Sequence, residues 1–391
     1  MAQLKVLFFI VIALLPLVLV SCSGTPFSCS GAAQPTGGWS GPTVHDGIVY
    51  VGTTDGRVVA INASSGKQQW QWPDTTGLRA LIYATPVVHG DLVYVGTYGG
   101  QVFALTLDHG AERWVYPRTG AIGAIVGAPV VVDETIYVSS SDSTVYALDT
   151  TYGDLKGEYE ILDEKGGKHE KLWASPVIHD GIVYVSTLDG YIYALSTETG
   201  ELERSFKAEA GFASSLAIDG GTIYVGSFDR HLYAIEIGGN VTWRFPEEEP
   251  AGNWFWARPV VKEGIVYAGC LDGKLYAVNA TTGKAIWSYP TTDQEDRSSP
   301  IVSPPVLIDN LLIVINESGA LYVFDLGTES EDQGVPSEPI HIGAAVDSPF
   351  CAHEGLAYIR GEDKDNHLHL YVVDIDKREL SWTFNLTEKA E

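Results

Sequence analysis

Residues 42–72 read PTVHDGIVYVGTTDGRVVAINASSGKQQWQW, and this stretch decides the fold. Pro42 to His45 is a short extended run, and Asp46-Gly47 is a turn signal. Ile48 to Gly52 is an apolar strand, Asp55-Gly56 a hairpin, and Arg57 to Ile61 a third strand. Ser65-Gly66 turns the chain again, and Lys67 to Trp72 forms a fourth strand. The same phrase returns clearly at Pro86, Pro176 and Pro259, and in degenerate form at Pro129, Ser215, Pro305 and Pro349. Eight copies, spaced 39 to 47 residues apart with four strand-like runs each, predict an all-β protein. The expected architecture is an eight-bladed β-propeller of four-stranded antiparallel blades.

The chain has 391 residues, 45% of them hydrophobic, with 50 acidic against 24 basic side chains and a net charge of −26. So acidic a surface argues against nucleic acid, whose phosphates need Lys and Arg. The expected partners are proteins, and the expected state is a single monomeric ring.

The runs are apolar on both faces because each blade is sandwiched between two others. Ala60, Ala104, Ala147, Ala194, Ala234 and Ala277 share one register position, where blades approach closely. Trp70, Trp114, Trp243 and Trp287 each follow a turn glycine by four residues, and Trp382 holds the same place in the last copy. An indole there can bury its ring against the next blade while its N–H finds a carbonyl. Gly157, Arg204 and Glu331 stand where three copies lack the Trp, and those blades are expected to be looser at the rim.

The first 21 residues read as a targeting segment, with Lys5 before the apolar run Val6 to Val20. Its end, Leu19-Val20-Ser21-Cys22, resembles the lipobox of prokaryotic lipoproteins. That likeness implies cleavage before Cys22, lipidation of Cys22 and an anchor on the extracytoplasmic side of a membrane. Residues 22–38 read as a flexible tether, 39–386 as the ring and 387–391 as a tail. Cys270 and Cys351 fall in non-adjacent copies and are expected to be buried free thiols.

The unit Ala-x-Asn-x-x-x-Gly-Lys-x-x-Trp, at Ala60 to Trp70 and Ala277 to Trp287, resembles the tryptophan-docking repeat of pyrroloquinoline-quinone (PQQ) propellers. Within that superfamily, a lipobox followed by a single ring is similar to the BamB family, lipoprotein subunits of the outer-membrane β-barrel assembly machinery. That resemblance implies a non-catalytic, membrane-anchored scaffold in an envelope complex. The enzymatic alternative it implies is a quinoprotein dehydrogenase holding PQQ with Ca²⁺ over the ring. That family has a disulfide between adjacent cysteines, and this chain has no adjacent pair. The reading is therefore no cofactor, no metal and no catalytic residue, with an extracellular ligand or polysaccharide receptor as a second alternative.

Function is expected on the face that carries the Asp-Gly hairpins and the long connectors, Gln71–Tyr83, Val115–Val126, Gly157–Trp173, Arg244–Trp256, Ser288–Val302 and Leu326–Val346. Three residues before each copy stand Trp39, Tyr83, Val126, Trp173, Phe212, Trp256, Val302 and Val346. With Trp254, these aromatics are expected to ring the central mouth, either as a hydrophobic collar under the loops or as a partner platform. Arg79, Arg118, Arg258 and Arg297 lie in or beside the same connectors. His45, His89, His179 and His353 recur as turn residues. His367 and His369, beside Glu362 to Asn366, are read as an exposed polar hairpin in preference to a metal site, because the EF-hand spacing is missing.

Overall fold

The computed structural model describes residues 40–74, 78, 80–162, 167, 171–212, 214–290, 299–327 and 334–387. Cys22, Cys29, Trp39, Arg79, Arg297 and Glu331 lie outside them, as do the targeting segment and the tether. Among the described residues no helix is long and apolar enough to cross a membrane.

Eight four-stranded antiparallel sheets follow one another along the chain, each built from four consecutive strands. In blade 1 these are Thr43–His45, Ile48–Gly52, Val58–Asn62 and Gln68–Trp72. Blades 2 to 8 span 87–116, 130–160, 177–207, 217–245, 260–289, 306–341 and 351–385. Among the described residues blade 8 is built from C-terminal strands alone, and side chains tie it to blade 1. Trp382 donates to the Ala63 carbonyl at 3.0 Å. Arg57, 2% exposed, donates to Leu386 O at 2.7 Å and pairs with Asp55. One apolar cluster unites Val49, Val51 and Ile61 with Leu370 and Val372 across the seam.

Each junction is an apolar sandwich, as between Tyr50, Ala60 and Trp70 of blade 1 and Val93, Phe103 and Leu105 of blade 2. Ala60, Ala104, Ala234 and Ala277 have no exposed surface. A bulge follows each of these alanines, shifting register between Ala60 and Ile61 and at the matching sites of other blades. Bulges bend and twist the strand that carries them, and here the outer-strand indole is carried toward the next blade.

That indole lands on a turn glycine. A Cβ on Gly110, whose φ is +66°, would stand 2.5 Å from the Trp70 ring, so no other residue fits both the backbone and the space. Trp70 completes the latch by donating to Leu107 O at 2.8 Å. Trp114 does the same to Thr150 O at 2.9 Å and Trp243 to Ala280 O at 2.8 Å. Trp287 packs on Gly334, though its indole N–H has no acceptor among the described residues.

The expected loosening at the Trp-less copies is corrected by two of them. In blade 3 the Tyr159 ring fills the place of the missing indole. It lies on Gly200, and its hydroxyl donates to Thr197 O at 3.1 Å. Gly157 is small because that ring crosses it, leaving a Cβ only 2.7 Å from Tyr159. In blade 4 Arg204 itself donates to Ile237 O at 2.9 Å. The equivalent of Glu331 in blade 7 lies outside the described residues, and the outer strand there is only Ile340–His341. Arg378 of blade 8 donates to Ser337 and to the Glu338 carbonyl across that junction.

Two connectors are shorter than the sequence suggested. The blade 3 outer strand runs Leu155–Glu160, and Ile340–His341 occupies the middle of the 326–346 segment. On the opposite face the His-Asp-Gly turns put two residues at positive φ, Asp46 at 47° and Gly47 at 69°, the two-residue hairpin that matches strand twist. His45, His179 and His353 there each approach the acidic residue beside them. Cys270 and Cys351 are free. Burial pushes the Cys351 thiol up to about 12 and raises Cys270 too, so both stay protonated and unreactive near neutral pH.

Candidate functional site

The hairpins between second and third strands fix the connectors beside them. Leu78 N–H donates to Gly56 O at 3.0 Å, and Ile122 N–H to Gly100 O at 3.0 Å. The hairpin acids help: Asp142 accepts from Gly123 N–H at 2.9 Å and from the Tyr146 hydroxyl at 3.0 Å. Tyr276 donates likewise to Asp272 at 2.7 Å. This Asp-x-x-x-Tyr pairing recurs in the repeat, and sequence reasoning missed it although the spacing was visible.

The connectors converge on a central cavity of about 140 Å³. Tyr83, Val126, Trp173, Trp256 and Val302 line it, together with Arg258 and Asp347. The pre-repeat positions do not all behave alike. Phe212 is 1% exposed and Val346 has no exposed surface; both turn into the core, and Phe212 meets Tyr233 edge-on at 6.3 Å. Tyr83 is 7% exposed and lies edge-on to Tyr98 at 5.1 Å. Trp173, Trp254 and Trp256 stay partly exposed.

The run Asn253 to Trp256 shows how neighbours part company. Phe255 is 1% exposed and packs in the cluster between blades 5 and 6. Trp254 and Trp256, one step either side, flank Phe228 at 4.8 and 6.0 Å between ring centroids. Successive side chains of an extended segment point opposite ways, so burial of Phe255 projects both indoles outward. Asn253 steadies the segment, its side-chain oxygen accepting from Trp254 N–H at 2.9 Å.

Of the four connector arginines, Arg258 is the one the described structure places in the cavity wall. Its Nε donates to Leu216 O at 3.1 Å; the residue stays exposed to solvent, and the protein packed around its guanidinium lowers its pKa. Arg118 turns away to an exposed ion pair with Asp154 at 2.9 Å. Asp347 lines the same cavity, with a buried arginine beside it. Arg360 is 1% exposed, occupies the register position held by Gly52 in blade 1, and comes within 3.9 Å of Asp347. Burial raises the Asp347 pKa and Arg360 lowers it in part. The Asp347 side chain, on the cavity wall, is 44% accessible, so solvent moderates that rise. Tyr83 beside this pair is pushed up to about 12 by burial.

Comparison with known proteins gives a family and a fold. The family model described as outer membrane protein assembly factor BamB matches residues 26–161 and 161–384. The BamB of Nitrosomonas eutropha is 31% identical over 105 residues, covering 26% of this chain and 22% of that protein. The quinohemoprotein alcohol dehydrogenase ADH IIB of Pseudomonas putida is 34% identical over 110 residues, 26% of this chain and 16% of that protein. The 1-butanol dehydrogenase (cytochrome c) of Thauera butanivorans is 31% identical over 112 residues, 27% of this chain and 16% of that protein. The chain therefore aligns with less than a quarter of the length of each of these relatives. Among solved structures, BamB from Moraxella catarrhalis superposes with a TM-score of 0.64 at 17% identity, over 85% of this chain and 93% of that one. The computationally designed Ika8 protein reaches 0.66 at 17% identity, over 86% and 96%. A designed protein fits as well as a natural one, so these superpositions speak to fold alone. The family match spans most of the chain and repeats across the ring: the chain belongs to the family of the outer membrane protein assembly factor BamB.

Proposed function

We propose that this chain is a non-catalytic, extracytoplasmic scaffold, lipid-anchored through Cys22, that binds a protein partner of an outer-membrane assembly complex with its connector face. The observation that carries the reading is the arrangement of Trp254, Trp256 and Arg258 beside the channel. Two partly exposed indoles and a guanidinium on one segment are the side-chain types that dominate interface anchors, and Phe255 beneath them fixes their direction. Trp173, which lines the same cavity, extends the platform.

The alternative is a PQQ-dependent oxidoreductase, which the dehydrogenase relatives favour. The central cavity does not suit that cofactor. It holds about 140 Å³, below the range of about 300–1,000 Å³ of small-molecule sites. Its described lining offers one carboxylate, Asp347, and neither Asn nor Glu, whereas Ca²⁺ takes six to eight oxygen ligands.

The test is binding of the purified barrel-assembly protein of the same host to the full chain and to a Trp254→Ala/Trp256→Ala variant. Loss of at least about tenfold in affinity is expected, with the melting temperature nearly unchanged. A melting temperature that collapses would make the indoles core residues and overturn the interface. Turnover of an alcohol with PQQ, Ca²⁺ and an electron-accepting dye would overturn the non-catalytic reading.

A further inference from the structure

The hairpin of blade 8 differs from the others in length and in chemistry. Its second and third strands, Leu356–Glu362 and Leu368–Asp374, have seven residues each, where blade 1 has five. A bridge between Ala345 and Glu362 supports the extension, so the Asp363–His367 loop stands further out on the connector face. The loop keeps the ordinary hairpin bonds: Asp363 N–H donates to His367 O, and Asn366, at a φ of 62°, replaces the usual turn glycine.

Within this frame three side chains converge. His369 Nε2 lies 3.1 Å and His367 Nδ1 3.6 Å from one carboxylate oxygen of Asp363, Oδ2. No two of these ligand atoms are more than 4.8 Å apart, and among the described residues no other three His, Cys, Asp or Glu side chains meet in this way. The second oxygen, Oδ1, is already taken by the N–H groups of Asp365 and His367, both at 2.9 Å. That division of labour locks the carboxylate and turns Oδ2 toward both imidazoles. The rings lie nearly perpendicular, at 78°, and Tyr371 backs the His369 ring at 5.7 Å.

We propose that Asp363, His367 and His369 bind a divalent transition metal ion of the Zn²⁺ class. Ligands about 2.0–2.2 Å from a tetrahedral Zn²⁺ are separated by roughly 3.3–3.6 Å; the separations of 3.1 and 3.6 Å from Asp363 lie at that range, and the two imidazole nitrogens are no more than 4.8 Å apart. Two imidazole nitrogens and one carboxylate oxygen are a donor set suited to Zn²⁺, and exclude the all-oxygen shell that Ca²⁺ or Mg²⁺ prefers. His367, the most exposed of the three at 53%, supplies the small adjustment that closes the site. The two backbone donors to Oδ1 are the outer-shell support that orients a carboxylate ligand. Water completes the coordination on the open side. The sequence alone favoured a plain polar hairpin here because the spacing matches no loop motif; convergence on one oxygen is a property of the strand register.

The test is calorimetric titration of the metal-free full chain with Zn²⁺ alone, backed by visible absorption after Co²⁺ loading. One equivalent per chain is expected, with His369→Ala abolishing it. Asp363→Asn keeps the Oδ1 acceptor of the turn but removes the anionic ligand, and should weaken binding by at least about tenfold. Absence of saturable binding by the wild type would overturn the site. So would binding that survives a His367→Ala/His369→Ala double change whose melting temperature matches the wild type.

Discussion

The outer rim and the inner mouth of this ring solve opposite problems with similar residues. At the rim, different side chains make one contact. Trp114 donates to Thr150 O, Tyr159 to Thr197 O and Arg204 to Ile237 O, all onto the same carbonyl of successive blades. At the mouth, similar side chains at one repeat position make different contacts. Phe212 and Tyr83 are buried, and Trp173 and Trp256 stay partly exposed around the cavity. A position whose contact is kept while its residue changes is under geometric constraint. A position whose residue class is kept while its exposure changes is free to acquire partners, and this is why the functional reading rests on the mouth.

The comparison breaks most directly at Trp114, which is 7% exposed and stands against Gly153. Trp114→Ala removes the ring and the bond to Thr150 O together. A cost of about 3–5 kcal/mol is expected in denaturant melts, with partner binding at the mouth unchanged once the protein is folded. If instead Trp114→Ala costs no more than Trp254→Ala, rim and mouth do not differ as argued.

Gly157 sharpens the same contrast at a smaller scale. Its Cβ would meet the Tyr159 ring at 2.7 Å, whereas a Cβ on Gly238 would meet nothing within 4 Å. Gly157→Ala should therefore cost about 1–3 kcal/mol by pushing the latch ring off Gly200. Gly238→Ala should be neutral, or stabilising by about 0.4–1 kcal/mol through the unfolded chain. Equal effects in a thermal melt would show that Tyr159 is no latch.

Gly157 also marks where sequence reading stopped. The eight-bladed ring was legible because Gly turns, Ala contacts and Trp latches recur with the repeat, and each is demanded by local geometry. Tyr159 was not, since it sits two residues past the expected place and works by leaning back across a glycine. The mouth was legible as a set of positions, but the alternation that buries Phe255 and exposes Trp254 and Trp256 depends on packing between blades. Of the connector arginines, Arg118 is one whose partner the sequence does not reveal: in the fold it forms an exposed ion pair with Asp154. Arg360 escaped notice altogether, although an Arg at the register position of Gly52 was a visible break in the repeat.

The smallest effect separates the carboxylates of the two regions by the sign of their pH dependence. At the mouth, Glu317 has its pKa raised above the ordinary 4.5, by burial first and by Asp347 second. On the turns, burial acts to raise the Asp149 pKa, but the N–H groups of Tyr152 and Thr151 and the Lys156 ammonium together outweigh it and hold the group below the ordinary 3.8. A raised carboxylate binds more protons folded than unfolded, so its contribution to stability is greatest below the unfolded pKa and is lost as pH rises through the folded one. A lowered carboxylate does the reverse, stabilising above the unfolded pKa and failing as pH falls through the folded value. Glu317→Gln should accordingly raise the melting temperature at pH 7 and lose that advantage near pH 4, while Asp149→Asn should lower it at pH 7 and converge with the wild type on acidification. Glu317 is solvent-accessible at the mouth, so its shift is small and screened by salt. If both variants move the melting temperature in the same direction at pH 7, the mouth does not hold its carboxylates against their charge, and a tolerance for acidic strain there is no longer a mark of its use.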